Sequence, residues 1–286
     1  MFFHHKTKKE RKDMGKCSCK SNAAADTIIE EKSCGCKSKN KKKPLLLVSN
    51  PIDAMQITKL ISETIEVNVE EIEKQHQVVR VEELPNATYI LRLEKKDVTF
   101  RSGQYFSLNI PGDIQARHYS IYSGENNETL DFLIKEVDDG IVSVKLHHLK
   151  PGDKVLIEGP WGHFRVKPND VESKKFLFIA SGTGISPFHS FIKSHPNLDY
   201  KLIHGVRNGS DRYEMGEYPK ERYVACTSRD KSGDFYGRVT DYLKANPVEQ
   251  GTLCYLCGSN QMIEDSISIL QSQGIKGSDI YTEIFF

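Results

Sequence analysis

No apolar run in this chain approaches the roughly eighteen residues that a membrane-spanning helix requires; the longest, such as Phe176 to Ala180, are about five. No membrane span is expected. The Lys-rich start has no apolar segment of about 7 to 15 residues to make it a secretion signal, and Glu10, Asp13 and Asp26 argue against an acid-poor transit peptide. The cytoplasm is the expected location, and no nucleic-acid partner is expected. Cysteine is scarce and odd in number, with Cys17, Cys19, Cys34 and Cys36 near the start and Cys226, Cys254 and Cys257 in the last third. That count, without a secretion signal, excludes a disulfide framework, so reduced thiols are expected. Aromatic residues are missing between Phe3 and residue 43, so residues 1–43 cannot bury enough surface to offset their ordering entropy and are expected to be disordered when metal-free.

Charge is present but unevenly placed. The first 50 residues hold 13 Lys or Arg against 5 Asp or Glu, a net of +8, and the remaining 236 hold 27 against 34, a net of −7. After Asn50-Pro51, a pair able to cap and open a helix, Ile57, Leu60, Ile61 and Ile65 form one apolar stripe at helical spacing. From His76 to Gly159 the pattern becomes six short β-type runs: 78–84, 89–93, 105–110, 119–122, 130–137 and 154–157. Turn signals separate them at Pro85-Asn86, Pro111-Gly112, Gly124 to Asn127 and Pro151-Gly152, with one helical run at 141–149. Six such strands predict a closed antiparallel β-barrel. Beyond Pro168, strands at 176–180, 200–204, 223–226, 253–257 and 280–285 alternate with helices at 187–194, 239–245 and 261–273, which predicts a parallel sheet covered on both faces.

Several segments carry groups suited to nucleotide chemistry. In Arg117-His118-Tyr119-Ser120 the guanidinium offers planar donors for phosphate, the Tyr119 ring a flat surface and Ser120 a hydroxyl. Taken alone, this is more readily a surface arginine beside ordinary strand residues. Ile134-Lys135 is followed by Gly140-Ile141-Val142-Ser143, where helix-opening amides and Ser143 can meet an anion and Gly140 allows close approach. Gly182-Thr183-Gly184-Ile185-Ser186-Pro187 follows a buried strand and opens a helix, the setting of a phosphate-binding loop, although Pro187 stands where a full fingerprint has its third glycine. It could also be only a tight turn. Cys257-Gly258 ends a buried strand before the helix containing Met262.

In this order, with a chain end reading Tyr281-Thr282-Glu283-Ile284-Phe285-Phe286, residues 76 to 286 resemble the ferredoxin-NADP reductase family of flavoenzymes. The match extends to Gly159-Pro160-Trp161-Gly162-His163-Phe164, similar to the family's turn closing the barrel. The resemblance implies FAD held by Arg117 (pyrophosphate), Tyr119 (isoalloxazine), Ser120 (near the reactive nitrogen) and the Gly140–Ser143 segment. It implies a nicotinamide nucleotide whose pyrophosphate lies on Gly182–Pro187, and a Cys257-Gly258 pair beside the nicotinamide that positions without acting as a nucleophile. The family's terminal Glu-x-aromatic corresponds to Glu283 and Phe285, the aromatic covering the flavin until nicotinamide displaces it; Phe285 is preferred over Phe286 for this. Arg207, Ser228 and Arg229, with Lys231, stand where NADPH-using members carry Ser and Arg, against Asp211 and Asp230 nearby, and favour NADP over NAD. Tyr236 could stack on adenine or be a core aromatic.

The expected organisation is a basic, Cys-containing tail (1–50), a helical linker (51–75), an FAD-binding β-barrel (76–170) and an NADP-binding α/β domain (171–286). The implied function is electron transfer between NADPH and a one-electron carrier such as ferredoxin or flavodoxin. An alternative is the reductase component of an oxygenase, although the cysteine spacing of a fused iron–sulfur domain is not present. The tail leaves a third reading. Cys17-x-Cys19 and Cys34-x-Cys36, flanked by lysines, could ligate zinc, copper(I) or iron and make a metal- or redox-sensing module; a solvated basic arm that attracts acidic partners is the preferred reading of the tail.

Overall fold

A computed structural model of the chain describes residues 74–137 and 139–285, together with Gln56 and Lys59, which are helical. The rest of the expected helix after Pro51, the Cys-x-Cys pairs and Phe286 lie outside the described residues.

The first half is a six-stranded antiparallel sheet. Its strands are β1 (Gln75–Leu84), β2 (Thr88–Glu94), β3 (Tyr105–Asn109), β4 (Ala116–Ser120), β5 (Thr129–Lys135) and β6 (Lys154–Trp161), in the order β4-β3-β6-β1-β2-β5. The edges meet just past β4, where the Tyr122 N–H donates to the Asp131 carbonyl at 2.8 Å, so the sheet curls around a core that includes Tyr89, Leu91, Phe106, Leu108 and Phe132. The turns fall where Gly112 (φ +87°) and Gly152 (φ +96°) supply left-handed backbone that costs glycine little. Helix α1 (Ile141–His147) crosses between β5 and β6.

The expected alternation fails instructively in β2 and β5. Tyr89, Leu91 and Ile134 face the barrel core, but Ile90 and Leu133 are buried on the other face in a cluster with Tyr122, Phe164 and Phe188. The second half of the chain covers the barrel there, so both faces of these strands are apolar. β4 begins earlier than the apolar pattern indicated, at Ala116 instead of Tyr119. Its first residues are exposed yet paired to β3, while Ile121 and Tyr122 lie beyond the strand and are buried.

The second half is a parallel sheet of β7 (Lys175–Ser181), β8 (Asp199–Val206), β9 (Tyr223–Thr227), β10 (Phe235–Tyr236), β11 (Leu253–Gly258) and β12 (Ile280–Ile284), in the order β10-β9-β8-β7-β11-β12. Helices α2 (Ser186–Ser194), α3 (Val239–Ala245) and α4 (Asn260–Ser272) connect them. The β7 run is wholly apolar because Phe176, Phe178 and Ala180 pack on one face and Leu177 and Ile179 on the other. β10, two residues long, left no pattern to detect. The strand order reverses between β7 and β11, and a crevice outside the carboxyl ends at such a point is where open α/β sheets bind ligands.

A charged clasp joins the halves. Arg92 on β2 pairs with buried Asp131 on β5 and lies 3.6 Å from Glu214 of the second half. Replacing Arg92 by Met strands the Asp131 carboxylate, and a loss of about 3–5 kcal/mol is expected, to be read from urea unfolding; an unchanged midpoint contradicts it.

Candidate functional site

Three side chains converge from strands far apart in sequence. The Ser120 hydroxyl, at the end of β4, donates to Glu283 Oε2 at 3.1 Å, and the Cys257 thiol lies 4.0 Å from the same oxygen. The parallel ladder sets the second approach, since Cys257 on β11 is directly opposite Glu283 on β12. Burial lifts the Glu283 carboxyl to about 7, with the Ser120 hydrogen bond opposing the rise. Burial, then the neighbouring Glu283, pushes the Cys257 thiol well above its ordinary range. The thiol is fully buried and stays protonated, so it can position a ligand but not attack one.

The Glu283 shift has a consequence for stability. Below its ordinary value of 4.5 the carboxyl is neutral folded or unfolded and costs nothing. As pH rises towards 7 the unfolded chain ionises first, so the fold loses stability across that window. Glu283→Gln is therefore expected to raise Tm above wild type at about pH 8 and to leave it unchanged at about pH 4. A Tm difference that does not depend on pH contradicts this.

Beside this cluster, Gly182 (φ +54°) opens a short 3₁₀ turn, Gly182–Ile185, leading into α2. The turn abuts β11 so closely that a Cβ on Gly184 would overlap the Cys257 carbonyl. Gly258 (φ +143°) is equally constrained, since a Cβ there would overlap the Ser181 hydroxyl, which accepts the Ser259 N–H at 3.1 Å. Beneath the turn, His204 is fully buried between the Gly182 carbonyl (2.8 Å from Nε2) and the Tyr223 hydroxyl (2.9 Å from Nδ1). A carbonyl only accepts, so Nε2 carries the proton and Nδ1 accepts from Tyr223. Burial lowers the His204 pKa to about 4, which keeps it neutral. Pro187 and Met262 are buried, and the Met262 terminal methyl approaches Gly258.

At the ends of β8 and β9 the Arg229 N–H donates to the Arg207 carbonyl at 2.8 Å, and the Ser228 N–H donates to Val206 at 3.2 Å. Arg207, Arg229 and Lys231 form no salt bridge among the described residues. The two nearby carboxylates are committed to the loops. Asp211 accepts the Asn208 N–H at 3.0 Å, and Asp230 accepts the Gly209 N–H at 2.9 Å and the Ser232 hydroxyl at 2.9 Å. Tyr236 is 59% exposed, so it is not a core aromatic, and the Lys231 ammonium sits 5.5 Å from its ring centre.

On the barrel, Arg117 is exposed and His118 lies 4.9 Å from the Tyr105 ring. Tyr119 is half-buried against the barrel core, which pushes its hydroxyl up to about 12. Ile134 and Val142 turn into the core, leaving only their backbones for a ligand; Lys135 and Ile141 are exposed. A Cβ on Gly140 would crowd Ser143 Oγ (2.7 Å) and the Val137 carbonyl (2.8 Å), and Ser143 Oγ accepts the Val137 N–H at 3.3 Å. Phe285 packs against the second-half core, and its N–H donates to the Gly258 carbonyl at 2.9 Å.

No motif in the sequence marks Tyr122 and His189, whose rings stack at 3.8 Å across the two halves while His189 Nδ1 meets the Tyr122 carbonyl at 2.6 Å. Ser181 was also missed, although it directly precedes the glycine turn.

Residues 75–166 match the oxidoreductase FAD-binding domain family and residues 178–267 the oxidoreductase NAD-binding domain family. The chain is 32% identical over 232 residues to the toluate 1,2-dioxygenase electron transfer component of Pseudomonas putida, covering 74% of this chain and 67% of that protein. It is 27% identical over 218 residues to the flavodoxin/ferredoxin–NADP reductase of Shigella flexneri, covering 66% and 86%. Among solved structures it resembles an Amycolatopsis cytochrome P450 reductase (TM-score 0.67, 26% identity, 74% and 69% covered). In fold it also resembles a Neisseria gonorrhoeae ferredoxin NADP+ reductase with bound FAD and NADP (TM-score 0.67, 20% identity, 74% and 98% covered). For some relatives the match spans less than two thirds of their length, 61% for the reductase subunit of an Amycolatopsis aromatic O-demethylase.

Proposed function

Because this chain belongs to the ferredoxin-NADP reductase family of flavin-dependent oxidoreductases, we propose that it takes hydride from NADPH and passes the electrons singly to a small ferredoxin- or flavodoxin-type carrier. The observation that carries this is the Ser120–Glu283 hydrogen bond joining the barrel to the nucleotide-binding sheet beside Cys257. Bound FAD supplies the chemistry, accepting two electrons as hydride and releasing them one at a time.

The residues fit such a group. Arg117 has no carboxylate partner among the described residues, which leaves its donors for a pyrophosphate. The first turn of α1 has no side-chain cap and no acidic residue, so its amides are open to the same anion. Tyr119 offers its ring, and Ser120 hydrogen-bonds where electron density changes. On the other side, Gly182–Gly184 leaves backbone amides free for the nucleotide pyrophosphate while His204 holds the turn from below. Gly258, without a Cβ, allows nicotinamide close approach, and Cys257 and Glu283 fix its orientation. Phe285 is the ring that must yield. No residue serves as a strong acid or base; positioning supplies the rate.

NADPH is favoured over NADH because Arg207, Ser228, Arg229 and Lys231 are exposed just past the ends of β8 and β9, where the neighbouring carboxylates are used internally. Arg229→Ala is expected to reduce kcat/KM for NADPH about tenfold to a hundredfold, from the loss of one charge-assisted phosphate contact, and to spare NADH. Equal losses with both nucleotides contradict the assignment. A second reading, the reductase of an oxygenase system, is favoured by the similarity to the toluate dioxygenase component. Both are tested by NADPH-driven reduction of purified ferredoxin, flavodoxin and an oxygenase's iron–sulfur protein. Turnover with the last alone selects the second reading, and turnover with none removes both.

A further inference from the structure

A histidine at the far end of α1 is bracketed by acids in a way no role above requires. His147 Nδ1 lies 2.5 Å from Glu136 Oε2, just beyond β5, and Nε2 lies 2.9 and 2.8 Å from the two carboxylate oxygens of Glu83 on β1. Its ring stacks on Tyr89 of β2 at 4.3 Å and 4°. The Tyr89 hydroxyl reaches past it to donate to the Ser143 carbonyl at 2.6 Å, in the first turn of the same helix. The neighbouring His148 ring is 5.8 Å away and turns back to the Val144 carbonyl. These groups, Glu83, Glu136, Tyr89 and His148, are the titratable side chains facing His147 from the packed elements.

Only the imidazolium satisfies this arrangement. A neutral imidazole has one donor and one lone pair, so one carboxylate would face a lone pair. The cation also sits at the negative end of the helix dipole.

Building on the flavin reading of α1, we propose that protonated His147 is a positioning residue for FAD: it locks α1 onto β1, β2 and β5 and so holds the Gly140–Ser143 turn in register with Arg117. Burial alone would lower the His147 pKa, but the hydrogen bonds to Glu136 and Glu83 outweigh it and raise it. A group with a raised folded pKa contributes fully at low pH and is lost as pH climbs through that value. FAD affinity therefore weakens on the alkaline side.

The test titrates FAD into the flavin-stripped full chain from about pH 6 to about pH 9, following the fluorescence of free flavin, with ¹⁵N shifts reporting the charge of His147. In the wild type, binding is expected to weaken roughly threefold to tenfold towards pH 9, the range of one ordinary hydrogen bond. His147→Gln is expected to bind weakly and without that pH dependence, and Glu83→Gln, which keeps Glu136, to move the loss to lower pH. A flat wild-type profile, or a neutral His147 imidazole at neutral pH, overturns the proposal, and needs no variant to fold. Protein that binds no FAD at any pH overturns the flavin reading itself, and this proposal with it.

Discussion

Replacing Gly184 by alanine is expected to lower the rate of flavin reduction by NADPH by roughly a hundredfold or more, the scale of an ångström's misplacement of reacting groups, while FAD stays bound. The added methyl would fall on the Cys257 carbonyl, which is backbone in a parallel strand paired on both sides, to β7 and to β12. That strand cannot retreat, so the glycine turn must move away from Cys257 and carry its amides with it. His204 would lose its contact with the Gly182 carbonyl, leaving a buried ring nitrogen unpaired. The barrel does not contain this turn, so the visible spectrum of bound flavin is expected to be unchanged. Stopped-flow reduction together with the flavin content of the purified variant separates the two effects. Wild-type reduction rates, or loss of flavin instead of rate, would contradict the placement of the nucleotide on this loop.

Replacing Arg117 by alanine is expected to act in the opposite place. The loss of two charge-assisted hydrogen bonds to a pyrophosphate, at about 1.5–3 kcal/mol each, would weaken FAD binding by roughly a hundredfold to about ten-thousandfold or more. The fold should survive, because Arg117 is exposed and its one side-chain hydrogen bond among the described residues is to the carbonyl of adjacent Ala116. Arg117→Lys should recover part of the affinity and no more, since an ammonium cannot bind in a fork. Apoprotein titration with FAD checks this. A dissociation constant unchanged by Arg117→Ala would put the pyrophosphate elsewhere.

Much of this is legible in the amino-acid sequence alone. Alternation in the first half and apolar runs punctuated by helices in the second gave the sheet types, because each period reflects which faces are buried. Ser120, Cys257, Glu283 and the glycine turn were found as motifs, and the fold brings the first three to one point. What escaped detection depends on pairings that cross the molecule. His189 and Tyr122 are 67 residues apart and their contact exists only because α2 packs on the barrel. His204 and Tyr89 sit in apolar runs and read as ordinary core. Asp211 and Asp230 counted against NADPH when only their charge was known; the structure shows their carboxylates bonded to loop amides. β4 was displaced by a few residues because its exposed start has no apolar signal.

The most direct test of the electron path is stopped-flow mixing of the purified protein with NADPH and with NADH while the flavin's visible band is followed. Fast bleaching with NADPH, and bleaching at least about tenfold slower with NADH, is the expected result, the factor being that of one phosphate contact. A protein that stays colourless after incubation with FAD, or whose bound flavin NADPH does not bleach, would contradict it.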